Sequence, residues 1–291
     1  MREAHIPPGP KVILCADDFG ISDAVSTGIE ELVAAGRLSA TGCMVTFPEW
    51  PKLARRAALL RDRIAVGLHL NLTAGPPMGP MPYFASGGFF PPIGRILAAA
   101  GRGSIETSEI EAETGRQLSA FAEHAGFAPD FVDGHQHVHA IRSVRGGVLA
   151  AVVKFRGGRN ILVRNPGDRL LRILRRKMQL RKAIGVAMLA LGLGSAIRAA
   201  GLASNDGFSG FSGYDPIVAY AAELEAAFAA SGPRQLAMCH PGHVDAVLAE
   251  RDSLTGRREE EFSVLMTAAG LTDRLWRPNR QLANIWGSAS G

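Results

Sequence analysis

Short apolar runs alternate along the chain with segments whose apolar residues recur three and four positions apart. The runs predict buried strands over 12–16, 41–46, 64–70, 130–134, 161–164, 235–239 and 282–286. The segments between the runs predict helices. Because strands that alternate with helices pair in parallel, the pattern predicts an α/β fold, either a doubly wound sheet or a barrel.

Capping residues predict where several helices begin and end. One helix is predicted over 22–35, with Ser22 as its N-cap and Gly36 ending it. Another, with a proline in its first turn, is predicted over 215–230. The remaining helices are predicted around 52–61, 108–124, 144–155 and 258–269. The segment 71–94 is rich in glycine and proline and predicts a loop long enough for a substrate-binding role.

No glycine-rich phosphate motif, GxGxxG or GxxxxGK[ST], follows any of the predicted strands. Nucleotide-binding open sheets therefore lose their usual signature. A barrel is favoured because reactive side chains occur at the ends of several predicted strands. We predict one domain over 1–291, a distorted (β/α) TIM-like barrel, with an inserted helical segment at about 166–213 and a flexible tail at 287–291.

The carboxyl ends of barrel strands converge on one face of the molecule, where active sites are built. The polar residues at or just after these predicted ends are Asp17, Asp18, His69, Asp133, His135, Arg164 and His240. They are spread over most of the chain but share one topological position. The sequence therefore predicts that they meet in a single site.

These residue types suit metal-assisted hydrolysis. One carboxylate and two imidazoles leave positions open for water and substrate, so we assign Asp18, His69 and His135 as ligands of one divalent metal ion. Zn or Mg is expected first, and Mn, Ni or Co also suits this ligand set. Asp17 is then the base on the water, His240 the acid for the leaving amine, and Arg164 the cation that keeps Asp17 ionised. The sequence does not distinguish which aspartate is the ligand and which is the base.

The motif DGHQHVH, residues 133–139, carries three histidines at alternate positions. In an extended segment, alternate side chains lie on one side, so the three imidazoles are predicted to share a face. Protonated imidazoles repel one another, so such a cluster favours a metal or catalytic role. The predicted substrate-binding residues are His137, His139, Asn71 and Asp206. Support of the metal ligands and a purely structural role are the alternatives for His137 and His139.

Each candidate taken singly also has a structural explanation. Asp17-Asp18 before Phe-Gly is compatible with a simple turn or with charges at a helix N-terminus. A histidine in an apolar strand, such as His69, is more often a core residue, and a lone arginine is more often a surface ion-pair partner. Near His240, the residues His243 and Asp245 are candidates to support or replace it.

Composition and charge narrow the class of protein. The chain of 291 residues is 47% hydrophobic and 20% charged, which argues against intrinsic disorder. The cysteines, Cys15, Cys43 and Cys239, form no CxxC pair, so neither a disulfide scaffold nor a cysteine-built zinc site is expected. The N-terminus lacks an apolar leader pattern. We therefore predict a cytoplasmic protein.

The net charge of +5 is concentrated in one stretch, 169–182, which contains seven Lys and Arg residues and no acid. An apolar run over 183–197 follows, shorter than the roughly 20 residues that a bilayer span needs. Charge gathered in this way does not indicate a nucleic-acid partner. Leucines interleaved with the cations favour contact of 169–197 with a membrane surface or an amphiphilic substrate. The alternatives are an exposed helix whose long cationic side chains cover apolar surface, and packing in a homodimer.

Five segments together resemble the YdjC-like carbohydrate deacetylases, which include chitooligosaccharide and hopanoid-associated deacetylases. The segments are ADDFGIS (16–22), VGLHLNLT (66–73), DGHQHVH (133–139), LVRNP (162–166) and MCHPGHVD (238–245). The resemblance implies a distorted barrel, a homodimer and metal-dependent removal of an N-acetyl group from an amino sugar, in an oligosaccharide or a glycolipid. It places the metal on Asp18, His69 and His135 and makes Asp17 the base.

The chain departs from the family pattern in two places. Family members commonly carry an asparagine where this chain has residues 25–28, VSTG. Around Arg164, the usual order of an apolar residue, proline and then an acid is replaced by RNPGD over 164–168. The metal ligands are unaffected, so these departures concern the identity of the substrate.

Other functions use the same residue types. Two histidines and a carboxylate also describe non-haem Fe(II) oxygenases, and a metallophosphoesterase would use a bridged metal pair. A sugar-binding barrel without catalytic activity is a third alternative. An Asp17 base and a His240 acid favour hydrolysis over this third class.

Overall fold

The computed structural model describes residues 3–156, 160–215, 217–281 and 286. Within those residues, one parallel sheet has seven strands in the order β5-β4-β3-β2-β1-β7-β6. The strands are β1 (Val12–Phe19), β2 (Ala40–Cys43), β3 (Ala65–Leu70), β4 (Phe131–Gly134), β5 (Leu162–Val163), β6 (Gly207–Ser209) and β7 (Gln235–Cys239).

Helices connect and cover these strands. They are α1 (Asp23–Ala34), α2 (Trp50–Leu60), α3 (Ile93–Gly101), α4 (Thr107–Ala125), α5 (Arg142–Arg156), α6 (Leu170–Arg176), α7 (Leu180–Leu189), α8 (Leu193–Ala199), α9 (Tyr220–Phe228), α10 (Ala246–Arg251), α11 (Arg258–Thr267) and α12 (Leu271–Arg274). A 3₁₀ segment, His135–Ala140, directly follows β4. The predicted N-cap is confirmed, since the Ser22 side chain accepts a hydrogen bond from the Val25 backbone N–H.

The sheet is curled, and its two edges approach each other. Leu162 in β5 forms an isolated parallel bridge with Ala203, which lies shortly before β6. The Asn205 side chain accepts a hydrogen bond from the Asn165 N–H at 2.7 Å and donates one to the Asn165 carbonyl at 2.8 Å. The α/β prediction is therefore confirmed, as a curled sheet of seven parallel strands in the described residues rather than a closed barrel of eight.

Six of the predicted strands occur within a few residues of their predicted bounds, but the seventh strand is different. The prediction over 282–286 lies outside the described residues except for Trp286, which is in a turn. The observed β6 instead lies inside 166–213, so the prediction that this whole stretch is an insertion is wrong in that part. The helix predicted over 215–230 begins only at Tyr220.

Side chains of β1 alternate between two buried layers, as the period of a strand requires. Val12, Leu14 and Ala16 pack with the surrounding helices in the larger core. Ile13 and Cys15 belong instead to a smaller cluster inside the curl, with members from the other strands such as Phe131 and Phe208. Asp17 continues the inward-facing set, which directs its carboxylate toward the interior at the carboxyl end of the sheet.

The apolar part of the basic stretch folds as two helices. By length and composition, Leu180–Ala199 would suffice to cross a membrane, with a mean hydropathy of 1.5. A turn at Ala190–Gly192 separates α7 from α8, and Gly192 adopts a left-handed conformation with φ of 81°. Length and composition alone are weak grounds for a membrane span, and the stretch is not one continuous helix.

Candidate active site

A bulge at the end of β1 brings two consecutive carboxylates to one cavity. Ala16 pairs with Thr41 and Phe19 pairs with Cys43, so β1 has one more residue than β2 in this interval. Neighbouring side chains of a regular strand point to opposite faces. Asp18, in the bulge, takes a left-handed backbone with φ of 71°, and both Asp17 and Asp18 line the cavity.

Glycine is required immediately after this bulge. Gly20 has φ of 92°, and a Cβ atom there would lie 2.6 Å from the Met44 carbonyl oxygen. Only a residue without a side chain allows β2 to approach so closely. The sequence Asp-Asp-Phe-Gly is therefore tied to the shape of the site.

Asp18, His69 and His135 converge as a three-ligand group. Their donor atoms all lie within 4.8 Å of one another. Asp18 Oδ1 is 3.0 Å from His135 Nδ1 and 3.3 Å from His69 Nε2, and all three residues are buried. One carboxylate oxygen and two imidazole nitrogens at this spacing fit a divalent metal ion.

Asp133 holds His69 in the orientation that such a ligand needs. The two residues are register partners on β3 and β4, and Asp133 Oδ1 lies 2.6 Å from His69 Nδ1. An Nδ1–H donated to this carboxylate leaves Nε2 facing Asp18. Burial alone would lower the pKa of His69, but the charges of Asp133 and Asp17 raise this pKa to about 10. The sequence placed Asp133 among the residues that meet in the site but assigned it no role, although it opens the DGHQHVH motif.

Arg164 lies between two buried carboxylates. Its Nη1 and Nη2 donate to Asp17 Oδ1 and Oδ2 at 2.9 and 2.8 Å, and Nη2 is also 2.8 Å from Asp133 Oδ2. Burial alone would raise the pKa of Asp17, but Arg164 and His69 together bring this pKa well below its usual range. The oxygens of Asp17 and Asp133, with the Cys15 sulfur, are also close enough to hold a cation. The guanidinium of Arg164 already supplies the positive charge there.

A second arginine holds the other oxygen of Asp18. Arg258 Nη2 donates to Asp18 Oδ2 at 2.7 Å and to Asp252 Oδ2 at 2.8 Å, and the arginine is fully buried. Burial alone would raise the pKa of Asp18, while His135 and Arg258 bring it well below the ordinary value. Arg258 comes from α11, outside every motif that the sequence offered, so sequence reasoning missed it.

The three histidines of DGHQHVH do not share a face, which corrects the prediction from their alternate spacing. The segment is a 3₁₀ turn in which Gln136 and His137 have left-handed backbones, with φ of 53° and 58°. His135 reaches the ligand group, and His137 packs edge-on against Phe208 in the cavity wall. His139 turns behind the cavity and donates from Nε2 to the Arg164 carbonyl oxygen at 2.8 Å.

His240 enters the cavity from the end of β7. Its backbone N–H donates to Glu261 Oε2 at 2.6 Å. Burial lowers the pKa of His240 to about 4 despite the nearby carboxylates, so the imidazole is neutral at pH 7. His243 instead pairs with Glu31 near the surface, and Asp245 caps α10. Neither is placed to replace His240.

Besides His139, two predicted substrate contacts are not brought to the cavity. The Asn71 side chain is occupied within its own loop, accepting hydrogen bonds from the Thr73 and Ala74 N–H groups and donating to Thr46 Oγ1. Asp206 precedes β6 and lies at the opposite, amino-terminal end of the sheet. Both positions disagree with the predicted role. The hydrogen bonds of the Asn71 side chain are all made within the protein, and Asp206 lies before its strand rather than after it.

The cavity has a volume of about 300 Å³, and the basic stretch forms part of its wall. Lys182 and Val186 of α7 line it beside Tyr214. The Lys182 ammonium lies 4.4 Å from the centre of the Tyr214 ring and donates to the Ser212 carbonyl oxygen. The sequence did not indicate that α7 would border the predicted chemistry.

Comparison with known proteins shows a family match over most of the chain. The family model described as YdjC-like protein matches residues 11–271. A human carbohydrate deacetylase is 35% identical over 144 residues, and a chitooligosaccharide deacetylase from Enterobacter sp. (strain 638) is 34% identical over 136. These matches cover 47% and 46% of this chain, and the chain spans 43% and 52% of the relatives' own lengths.

A longer match and a solved structure extend the likeness to nearly the whole chain. A chitooligosaccharide deacetylase from Salmonella typhi is 28% identical over 273 residues, covering 92% of this chain and 96% of that protein. The crystal structure of an Enterococcus faecalis V583 protein, named as a cellobiose-phosphate cleavage protein, has a TM-score of 0.69 at 21% identity. The superposition covers 94% of this chain and 98% of the Enterococcus faecalis chain, which shows that the two proteins share a fold.

Proposed function

Because the chain belongs to the YdjC-like protein family, we propose that it is a metal-dependent hydrolase that removes the N-acetyl group from an amino sugar. The observation that carries the proposal is the convergence of Asp18, His69 and His135, with Asp17 beside them and His240 at the end of the neighbouring strand β7. The relatives named carbohydrate and chitooligosaccharide deacetylases support a sugar substrate. The reaction consumes one water and yields a free amine and acetate.

The ligand group would hold one divalent ion. Such an ion, when bound, polarises an acetamide carbonyl and lowers the pKa of a coordinated water. The chain's own contribution begins with Asp17. Its carboxylate remains ionised because the Arg164 guanidinium donates a hydrogen bond to each of its oxygens. An ionised carboxylate at the edge of the ligand group can accept the proton that the attacking water gives up.

His240, at the end of the strand next to that of Asp17, serves the leaving nitrogen. It is neutral before the reaction, since its pKa is about 4. The imidazole must therefore take up a proton during turnover before it can give one to the departing amine. The proton that Asp17 accepts from the water passes to His240, and the charges of Asp18 and Asp17 favour the imidazolium once it forms.

The cavity suits a small part of a saccharide. Its volume of about 300 Å³ lies at the lower end of the range for small-molecule sites. The cavity is lined by apolar side chains, Ile93, Val186 and Leu254, and by the Tyr214 ring. They lie beside the carboxylates and imidazoles already described. Such a lining can contact both the apolar faces and the hydroxyl groups of one sugar unit.

A metallophosphoesterase with a metal pair has less support. The second group of donors in the described residues, Cys15, Asp17 and Asp133, already faces the Arg164 guanidinium. A second metal ion would have to displace a fully buried arginine. One ion and one carboxylate base describe the site better.

Replacement of the base tests the proposal. We expect Asp17→Asn to lower kcat by about 10²–10⁴, the usual contribution of a general base, while the metal ligands remain intact. Acetate release from N-acetylglucosamine and its short oligomers is measured with the metal-loaded protein, after chelation and after reloading. Metal content is determined in parallel for each variant.

Asp23→Asn is the matched control, because Asp23 lies outside the cavity on α1. It is expected to retain activity. Acetate release that persists in metal-free protein, or full activity in Asp17→Asn, would contradict the proposed chemistry.

A further inference from the structure

A second cleft, of about 420 Å³, opens at the other end of the sheet. It lies where β1 and β7 begin, with Ile13 and Gln235 among its lining residues. Asp18 lies five residues beyond Ile13 on β1, so these two residues are roughly 16 Å apart at the usual rise of a strand. The cleft and the catalytic cavity are therefore separate sites.

The lining of this cleft is strongly basic. Its charged residues are one acid, Asp206, and the cations Lys11, Arg169, Arg172 and Arg234. The Lys11 ammonium donates to a backbone carbonyl, that of Asp273, and Arg234 Nε is 3.6 Å from the Asp206 carboxylate. Within the described part of the chain, the exposed Arg169 guanidinium has no acidic partner. Arg172 Nη1 also lies 3.4 Å from Asp168 Oδ1, so the positive charge in the cleft is partly neutralised and Arg169 contributes most of what remains.

A pair of indole rings forms the apolar wall beside these cations. Trp276 and Trp286 stack with their ring centres 4.9 Å apart and an interplanar angle of 11°. The Trp286 indole N–H donates to the Asp130 carbonyl oxygen at 3.3 Å, and the ring packs edge-on against Phe131, while the Trp276 backbone N–H donates to the Val12 carbonyl oxygen at 2.9 Å. The Trp286 ring is therefore held against the sheet, and the Trp276 ring stacks on it. A rigid aromatic wall next to guanidinium groups suits a ligand that joins a ring to an anion.

We propose that this cleft binds a phosphate monoester carried on a sugar or a nucleoside. Guanidinium groups pair with phosphate oxygens in a fixed fork geometry, and the partly exposed Trp276 ring, stacked on the buried Trp286, offers a surface for the attached ring. Arg169 and Arg172 belong to the basic stretch 169–182, so the site uses charge that the catalytic cavity leaves unused. The proposal does not depend on the reaction assigned to the catalytic cavity.

Tryptophan fluorescence gives a direct readout. Two of the three tryptophans line the cleft, while Trp50 is buried in the main core. The full chain is titrated with inorganic phosphate, ribose 5-phosphate, AMP and, as the uncharged comparison, ribose. We expect a saturable change with the phosphorylated probes and none with ribose. Tighter binding of AMP than of ribose 5-phosphate identifies a nucleotide site, and the reverse order identifies a sugar-phosphate site.

Two variants, one that removes a positive charge from the cleft and one that removes a negative charge, make the test specific. Arg169→Gln should weaken binding about two- to fivefold, the range for an exposed charge pair, and Asp206→Asn should tighten it. Arg175→Gln is the matched control, because Arg175 is exposed on the same helix but does not line the cleft. No saturable change with any phosphorylated probe, or equal weakening by Arg169→Gln and Arg175→Gln, would overturn the proposal.

Discussion

Buried charge in the catalytic cavity is organised around the two arginines. Asp17 and Asp133 share Arg164, while Asp18 is held by Arg258. Removing one partner of such a network leaves an uncompensated buried charge, which costs more than the pair contributes. Asp252 is the second carboxylate on Arg258, so four carboxylates against two guanidinium groups leave two negative charges in excess. A divalent cation held by Asp18, His69 and His135 would offset that excess.

Asp133 should control metal affinity without touching the metal. Asp133→Asn keeps an oxygen near His69 Nδ1 but removes the charge that orients and polarises the ring. We expect metal affinity to fall about 10- to 100-fold, the usual effect of losing such a supporting carboxylate. Calorimetric titration of the metal-free protein with Zn²⁺ measures it. Asp62→Asn, at an exposed position, is the control, and unchanged affinity in Asp133→Asn would show that Asp133 has no such part.

The proposed ligands could be named from sequence, because each lies at the end of an apolar run where parallel strands converge. Arg258 could not, since it lies on a helix with no motif and reaches Asp18 across 240 positions of chain. Asp206 was misplaced for a related reason. It precedes a strand of three residues that the hydrophobic pattern did not reveal, so its end of the sheet was unknown.

At the scale of elements, the 3₁₀ turn after β4 sets the directions of the histidines. Period-two spacing predicted a common face, but Gln136 and His137 adopt left-handed conformations that break the period. Gly134 permits the turn, since a Cβ there would lie 2.8 Å from His139 Nδ1. Backbone dihedrals of this kind depend on tertiary contacts, which the pattern of polar and apolar residues does not encode.

Substitutions at Gln136 test the conformation of this turn. A left-handed backbone disfavours β-branched residues and tolerates glycine, so Gln136→Val should destabilise the fold more than Gln136→Gly, by about 1–2 kcal/mol. Urea unfolding measures the free energy of each variant. Arg55, exposed within α2, is the control position. There Arg55→Gly is expected to lower the free energy of unfolding more than Arg55→Val, because glycine is the poorer helix former. The same order of stability at both positions would contradict the assigned conformation.

Across the whole molecule, the cations of the basic stretch 169–182 lie in several different environments. Arg176 is bound into the fold through Asp168 and the Phe208 carbonyl, Lys182 borders the catalytic cavity, and Arg169 faces the second cleft. Leu170 and Leu171 remain exposed on α6. The membrane contact, the homodimer and the cytoplasmic location stay predictions.

Glu261 links the stability of the fold to pH. It is buried on α11 beneath His240, and burial raises its pKa from 4.5 to about 7. Between these values the unfolded chain releases the proton while the folded chain keeps it. The contribution of Glu261 to folding stability is therefore greatest below about pH 4.5 and is lost as pH rises through 7, by about 3 kcal/mol in all.

The variant Glu261→Gln retains an acceptor for the His240 N–H but cannot ionise, so it should not lose this stability. Histidines such as His139, with a pKa lowered by burial to about 4, oppose the trend, because their contribution to stability rises with pH between about 4 and 6.5. The readout is accordingly the difference in unfolding free energy between the variant and the wild type. We expect that difference to shift in favour of Glu261→Gln by about 2–3 kcal/mol between pH 5 and pH 8. Glu259→Gln, exposed on the same helix, should give a flat difference, and an equally flat result for Glu261→Gln would mean that Glu261 is ionised throughout.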